Sequence, residues 1–148
     1  MKAEEWKFYP EFNISEFACK CGKCPETSGL NMRISFMLKL TAMRKAWYIH
    51  CKRAGIQFRG LWISSGWRCE SHEEEAKKPE GGTHFLGYAC DIRAQYGGEL
   101  HEWLRANAKN FGFHRIGLAN SYVHVDSFSG DSRIPCPAIW TYQGYKGN

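Results

Sequence analysis

The 148-residue chain lacks several features that would place it at once in a broad class. No stretch approaches the roughly 18 consecutive apolar residues that a membrane-crossing helix needs, so no membrane span and no membrane partner are expected. The opening "MKAEEWKFYPEF" carries Glu4 and Glu5 and has no apolar segment of the secretory-leader type. The expectation from this is synthesis and retention in a cytoplasm, with any target beyond a membrane reached by other means. No block of five like charges occurs, which argues against a nucleic-acid-binding arm. There is no internal repeat and no composition break, so one domain over residues 1–148 is expected, as a monomer. The net charge of +5 suits an anionic partner, but a solvated surface explains it as well.

Cysteine is not scarce. Cys19, Cys21, Cys24, Cys51, Cys69, Cys90 and Cys136 make seven. An odd number without a leader speaks against a full disulfide framework and for reduced thiols or metal ligands. "CKCGKC" sets Cys19, Cys21 and Cys24 at tight spacing. They are candidates for a second, structural metal ion, which needs a fourth ligand such as Cys51 or Cys136. Free thiols or one disulfide are the alternatives. Cys90 is expected to point into the core as a small apolar side chain.

Residues 1–30 read as irregular. "NMRISFMLKLTAMRKAWYIHCKRAG" reads as an amphipathic helix with Phe36, Met37, Leu40, Met43, Trp47, Tyr48 and Cys51 on one face. Asn31 or Ser35 is the expected cap and Gly55 the stop. Short strands are expected at Leu61–Ser65, "ACDIRA", "HRIGL" and "YVHVDS", the last two joined by the turn "ANS". "GGELHEWLRANAKNFG" reads as a second helix with Leu100, Trp103, Leu104 and Ala108 inward. Between the first two strands lies a polar loop of some twenty residues, a length usually reserved for function. The last twenty residues, rich in glycine, proline and aromatics, carry no assignable pattern. The expected fold is α+β, a small antiparallel sheet packed on helices.

Two places carry the chemistry. In "YVHVD", alternation sends Val123 and Val125 to the core and Tyr122, His124 and Asp126 to the other face. In "GGTHFLGYACDI", His84 lies seven residues before Asp91, and Gly81, Gly82 and Gly87 permit tight bends. His84, Asp91 and His124 together offer two imidazoles and a carboxylate. That set suits Zn²⁺ with a fourth position open to water, although a half-buried polar strand and an ordinary loop would read the same way.

In order along the chain, "SSGWRCESH", "THFLGYACDI" and "YVHVDS" resemble the zinc D-Ala-D-Ala carboxypeptidase family. That family includes bacterial and phage peptidoglycan peptidases and phage endolysins, and shares its fold with the hedgehog signalling domain. The resemblance spans roughly residues 12–128; Thr83 directly before His84 departs from the usual spacing. It implies a peptidase of peptidoglycan stem peptides or cross-links, a phage lysis or virion-associated enzyme held in the host cytoplasm until lysis. It implies His84, Asp91 and His124 as zinc ligands and Arg68 as the oxyanion-stabilising arginine, a contribution of about 3 kcal/mol in comparable sites. A plain salt bridge from Arg68 to Asp91 or Asp126 is the alternative. Ser65, Trp67 and Tyr122 are expected at the substrate, with Trp62, Trp67 and Phe85 walling the site; Tyr122 could equally be packing.

The family's acid shortly before the late histidine has no counterpart, since Leu118, Ala119, Asn120 and Ser121 stand there. Asp126 is the substitute, either as general base or as a carboxylate orienting a ligand histidine. Glu73, Glu74, Glu75 and Glu80 sit in the long loop and one could fold over the site. His72 and His114 read as ordinary surface or satisfied histidines. The missing acid also supports another function class, a non-catalytic zinc module of the same fold serving in structure or wall binding.

Overall fold

The computed structural model describes residues 1–78 and 81–147. Three short 3-10 helices, Ala3–Phe8, Ile14–Phe17 and Glu26–Asn31, replace the irregular start. They are pinned by aromatics: Trp6 and Phe12 both meet Phe17 edge-on at 5.6 Å, and the Trp6 indole N–H donates to the Phe12 carbonyl at 2.8 Å.

Helix α1 spans Ile34–Ala54. Its face of Phe36, Met37, Leu40, Met43, Trp47 and Cys51 is buried at helical spacing, as the sequence pattern requires. Tyr48 departs from the expectation; it is 42% exposed and packs on Phe58 at the margin. The helix stops as expected at Gly55, whose φ of 69° is left-handed, with the Ile56 N–H returning to the Cys51 carbonyl. Its start is not capped by Asn31 or Ser35. Arg33 occupies the cap position without a side-chain bond, and its own N–H donates to the Gly87 carbonyl. At 21 residues α1 is the longest helix, but no helix among the described residues is long and apolar enough to cross a membrane.

The strands are β1 (Ile63–Ser65), β2 (Ala89–Arg93), β3 (Arg115–Leu118), β4 (Tyr122–Asp126) and β5 (Ala138–Thr141). They form one sheet in the order β1-β2-β4-β3-β5. Four of these strands lie where the sequence put them. The fifth comes from the unassigned tail, and it runs parallel to β3, so the sheet is mixed and not purely antiparallel. Helix α2 (Glu99–Asn107) continues as a 3-10 turn to Phe111 and stops at Gly112, φ 85°. Leu104 and Ala108 are fully buried, while Leu100 and Trp103 are only partly covered.

One face of the sheet joins the core. Ile63, Cys90, Ile92, Ile116, Val123 and Val125 cluster with the apolar face of α1 and with Phe113. Cys90 is fully buried there, and burial pushes its thiol well up, as an inert core residue requires. The opposite face carries the polar residues.

The N-terminal segment is fastened next to β1. The Trp67 N–H donates to the Phe17 carbonyl at 2.8 Å, and a Cβ on Gly66 would stand 2.5 Å from the Phe17 Cα. Because that neighbour is backbone, it cannot yield cheaply. Gly66→Ala is expected to cost about 1–3 kcal/mol of stability in denaturant unfolding. Gly22→Ala, at a left-handed φ of 81° with nothing within 4 Å, should cost only the backbone strain of about 1–2 kcal/mol. Equal, small losses would contradict the tight apposition of the two segments.

Candidate metal centre

The sheet register assembles the site. Ser65 lies opposite Asp91, Asp91 opposite His124, His124 opposite Gly117, and Gly117 beside Trp140. These residues form a row across all five strands, on the face turned away from the core. His84 joins them from the loop before β2. Gly87, with φ 79°, closes that loop where a Cβ would meet the Asn31 carbonyl oxygen at 2.3 Å, so the bend tolerates only glycine. The Gly82 N–H donates to the buried Glu75 carboxylate at 2.6 Å and fixes the other end.

Three ligand atoms converge. His124 Nδ1 lies 2.9 Å from Asp91 Oδ1, His84 Nε2 lies 3.2 Å from His124 Nδ1, and His84 Nε2 lies 3.4 Å from Asp91 Oδ1. All three residues are buried, and all three line one open cleft of about 800 Å³. The group can hold a metal ion. The His84 tautomer follows from its other nitrogen: Nδ1 is 2.7 Å from the Gly66 carbonyl, which can only accept, so Nδ1 carries the hydrogen and Nε2 turns its lone pair to the centre.

Electrostatics fits that arrangement. Burial holds the His84 imidazole below its ordinary pKa, which keeps it neutral. Burial also opposes charge on His124, but the Asp126 and Asp91 carboxylates on its two sides outweigh it and raise the pKa. Burial penalises the Asp91 carboxylate too, yet His84 and His124 hold its pKa well below the usual carboxylate range. Between these groups a positive charge is favoured, whether carried by a proton or by an ion.

Asp126 stands behind this centre. It is fully buried, accepts from Arg115 Nε at 2.8 Å and from the Phe128 N–H at 2.8 Å, and lies 3.6 Å from His124 Nε2, a nitrogen with no hydrogen bond of its own. The nitrogen it faces is the one pointing away from His84 and Asp91. Of the two roles the sequence allowed, the geometry fits orientation of His124 and not proton transfer at the cleft.

Arg68 lines the cleft and donates from one terminal nitrogen to Asp91 Oδ2 at 2.9 Å and from Nε to Ser65 Oγ at 3.0 Å. The salt bridge to Asp91 is therefore present, and Ser65 holds Arg68 without lining the cleft. Tyr122 lines it, beside Tyr142 at 5.3 Å. Trp67 does not: its indole N–H donates to the Phe85 carbonyl, and both rings face a separate hollow near Met1 and Ile34. Trp62 is 64% exposed and lies under the Arg93 guanidinium, also away from the cleft. The expected wall of Trp62, Trp67 and Phe85 is thus replaced by Trp140, Tyr142 and Ile134 from the tail.

Gly117 has a reason in this wall, since a Cβ there would stand 2.7 Å from the Trp140 ring, which packs on His124 at 5.2 Å. Among the loop acids, Glu74 lines the cleft, Glu75 is buried 3.8 Å from Arg68, and Glu73 is exposed; Glu80 lies outside the described residues. His114 is exposed, and His72 Nδ1 accepts from the Glu74 N–H; neither joins the centre.

The sequence reading missed Trp140, Tyr142 and Arg115. The only available signal was the aromatic run "IWTY", which has a strand-like alternation. It also missed Cys69. Cys19, Cys21, Cys24 and Cys69 form a second group able to hold a metal ion. Cys51 is buried in α1 and Cys136 precedes β5 against Gly130, so neither belongs to that group.

Asp126→Asn should weaken zinc binding about 10–100-fold in a competition titration, with the fold retained by circular dichroism. Unchanged affinity would contradict the orienting role. Comparison with protein-family models, with curated proteins and with solved structures returned no match for this chain.

Proposed function

We propose that the protein is a zinc-dependent peptidase of bacterial peptidoglycan, cutting an amide bond in the stem peptide or cross-link, as a phage lysis or virion-associated enzyme. The observation that carries the reading is the convergence of His84 Nε2, Asp91 Oδ1 and His124 Nδ1 at the floor of an open cleft. A tetrahedral zinc with nitrogen and oxygen ligands at about 2.0–2.1 Å puts neighbouring ligand atoms about 3.3–3.4 Å apart. The observed separations of 2.9 to 3.4 Å are close to that before any ion draws the side chains into place. Two imidazoles and one carboxylate are also the donor set of hydrolytic zinc sites, and the three side chains that would hold the ion line the cleft. When bound, zinc supplies a Lewis acid that polarises a carbonyl and makes water acidic enough to react near neutral pH.

The chain's own residues supply the rest. Arg68 holds Asp91 by one oxygen and so fixes the direction of the other. Its guanidinium at the cleft wall also favours negative charge building on a substrate carbonyl oxygen. Glu74 is the one carboxylate besides Asp91 that lines the cleft among the described residues, and its half-exposed side chain reaches it from the long loop. It is the group best placed to take a proton from attacking water and return it to the leaving amine. Trp140, Tyr142 and Ile134 give apolar wall for the small methyl groups of alanine residues, and Tyr122 offers a hydroxyl to a peptide carbonyl or amide.

The same centre also supports a non-catalytic zinc module that binds wall, because no acid stands just before His124 and Glu74 is engaged with Lys77 at 3.3 Å. Digestion of purified peptidoglycan by the zinc-loaded protein, followed by mass spectrometry, separates the two. New amine termini are expected from the wild type and none from His84→Ala. Glu74→Gln should lose on the order of 10²–10⁴ in kcat with zinc affinity unchanged. Absence of new termini from the wild type overturns the peptidase, and a fully active Glu74→Gln overturns the choice of base.

A further inference from the structure

We propose that Cys19, Cys21, Cys24 and Cys69 hold a second zinc ion as a tetrahedral four-thiolate site, and that this ion clamps the N-terminal segment onto the chain directly after Arg68. The four sulfurs lie within 4.8 Å of one another. Cys19 and Cys69 sulfurs are 3.6 Å apart, Cys21 and Cys24 3.6 Å, and Cys21 and Cys69 3.7 Å. Zinc–sulfur bonds of about 2.3 Å in a tetrahedron place the sulfurs about 3.8 Å apart. A disulfide requires about 2.05 Å. The measured edges therefore match a set of thiolates gathered round one ion, and all four cysteines are unpaired.

The backbone is arranged for thiolates. The Lys23 N–H points at Cys21 Sγ at 3.4 Å and the Cys69 N–H at Cys19 Sγ at 3.3 Å, donors that stabilise negative sulfur. Gly22, at a left-handed φ of 81°, turns the chain between Cys21 and Cys24 so that both sulfurs face the same point. Three ligands come from one short loop and the fourth from 45 residues further on, so the ion closes a long loop. That is the kind of cross-link from which a small domain gains most. On binding, each thiol gives its proton to solvent.

The clamp is continuous with the pairing already described. The Phe17 carbonyl and Cys19 sulfur receive the N–H groups of Trp67 and Cys69, on either side of Arg68. Lys20 adds a bond from Nζ to the Ser64 carbonyl at 2.6 Å. Arg68 thus leaves a stretch held at both flanks, which fixes the base of the side chain that grips Asp91. The consequence for substrate rests on the peptidase reading; the ion itself does not.

The test therefore removes the first site. The His84→Ala/His124→Ala double variant, purified under reducing conditions, is expected to retain one zinc per chain by elemental analysis. Exchanged into cobalt, it should show intense thiolate-to-cobalt charge-transfer absorption. Thiol titration after chelation and denaturation without reductant should find all seven thiols. Adding Cys69→Ser or, on the more exposed loop, Cys24→Ser should bring the zinc at least tenfold below one per chain and abolish the absorption. A double variant that holds no metal, or zinc unmoved by both cysteine substitutions, overturns the proposal. So does a count of three thiols, which would mean that the two close pairs are disulfides.

Discussion

Asp91 is a carboxylate in the middle of a sheet, flanked by β1 and β4 and almost closed off from water. Removing such a charge from solvent costs several kcal/mol unless partners replace the lost hydration. Here the partners are His124 from the neighbouring strand, His84 from a loop and Arg68 from the segment after β1. Each comes from a different element, so satisfying one buried charge fixes the position of three. The rest of the site follows from this demand. Asp126 and Arg115 are a further layer that balances His124, and Trp140 closes over it because Gly117 leaves the room.

The N-terminal segment is part of this economy and not an appendage. Its aromatics fill the core beside α1, and its backbone pairs with the stretch that carries Arg68. A substitution in that segment therefore reaches the candidate metal centre through Trp67 and Cys69 without touching His84, Asp91 or His124. The segment's short 3-10 turns have little intrinsic stability of their own. What holds them is aromatic packing, with Cys19, Cys21 and Cys24 gathered beside Cys69 at the same corner.

Much of the frame was legible in the residues. The three- and four-residue steps from Phe36 to Cys51 specify α1, and the alternation in "YVHVD" places His124 opposite the core face. What local pattern cannot carry is pairing between distant segments. Trp140 reaches the site only because β5 pairs in parallel with β3, a long-range contact that an aromatic, proline-containing tail does not announce. Cys69 looked unrelated to "CKCGKC" because the link is spatial alone. For Asp126 the residues left two roles open, base or orienting carboxylate, since alternation gives the side of the sheet but not what covers it; Arg115 and the Phe128 N–H do. Trp67 is the converse case, a motif residue whose indole is taken up by the Phe85 carbonyl.

The chemistry proposed for the cleft requires an ion held by His84, Asp91 and His124. Anomalous diffraction from crystals of the zinc-loaded protein, recorded at the zinc absorption edge, addresses this without reference to activity. A peak is expected within bonding distance, about 2.0–2.2 Å, of His84 Nε2, Asp91 Oδ1 and His124 Nδ1, with Asp126 still against His124 Nε2. A zinc-saturated crystal with no peak at that point, and with His124 still hydrogen-bonded directly to Asp91, would contradict it.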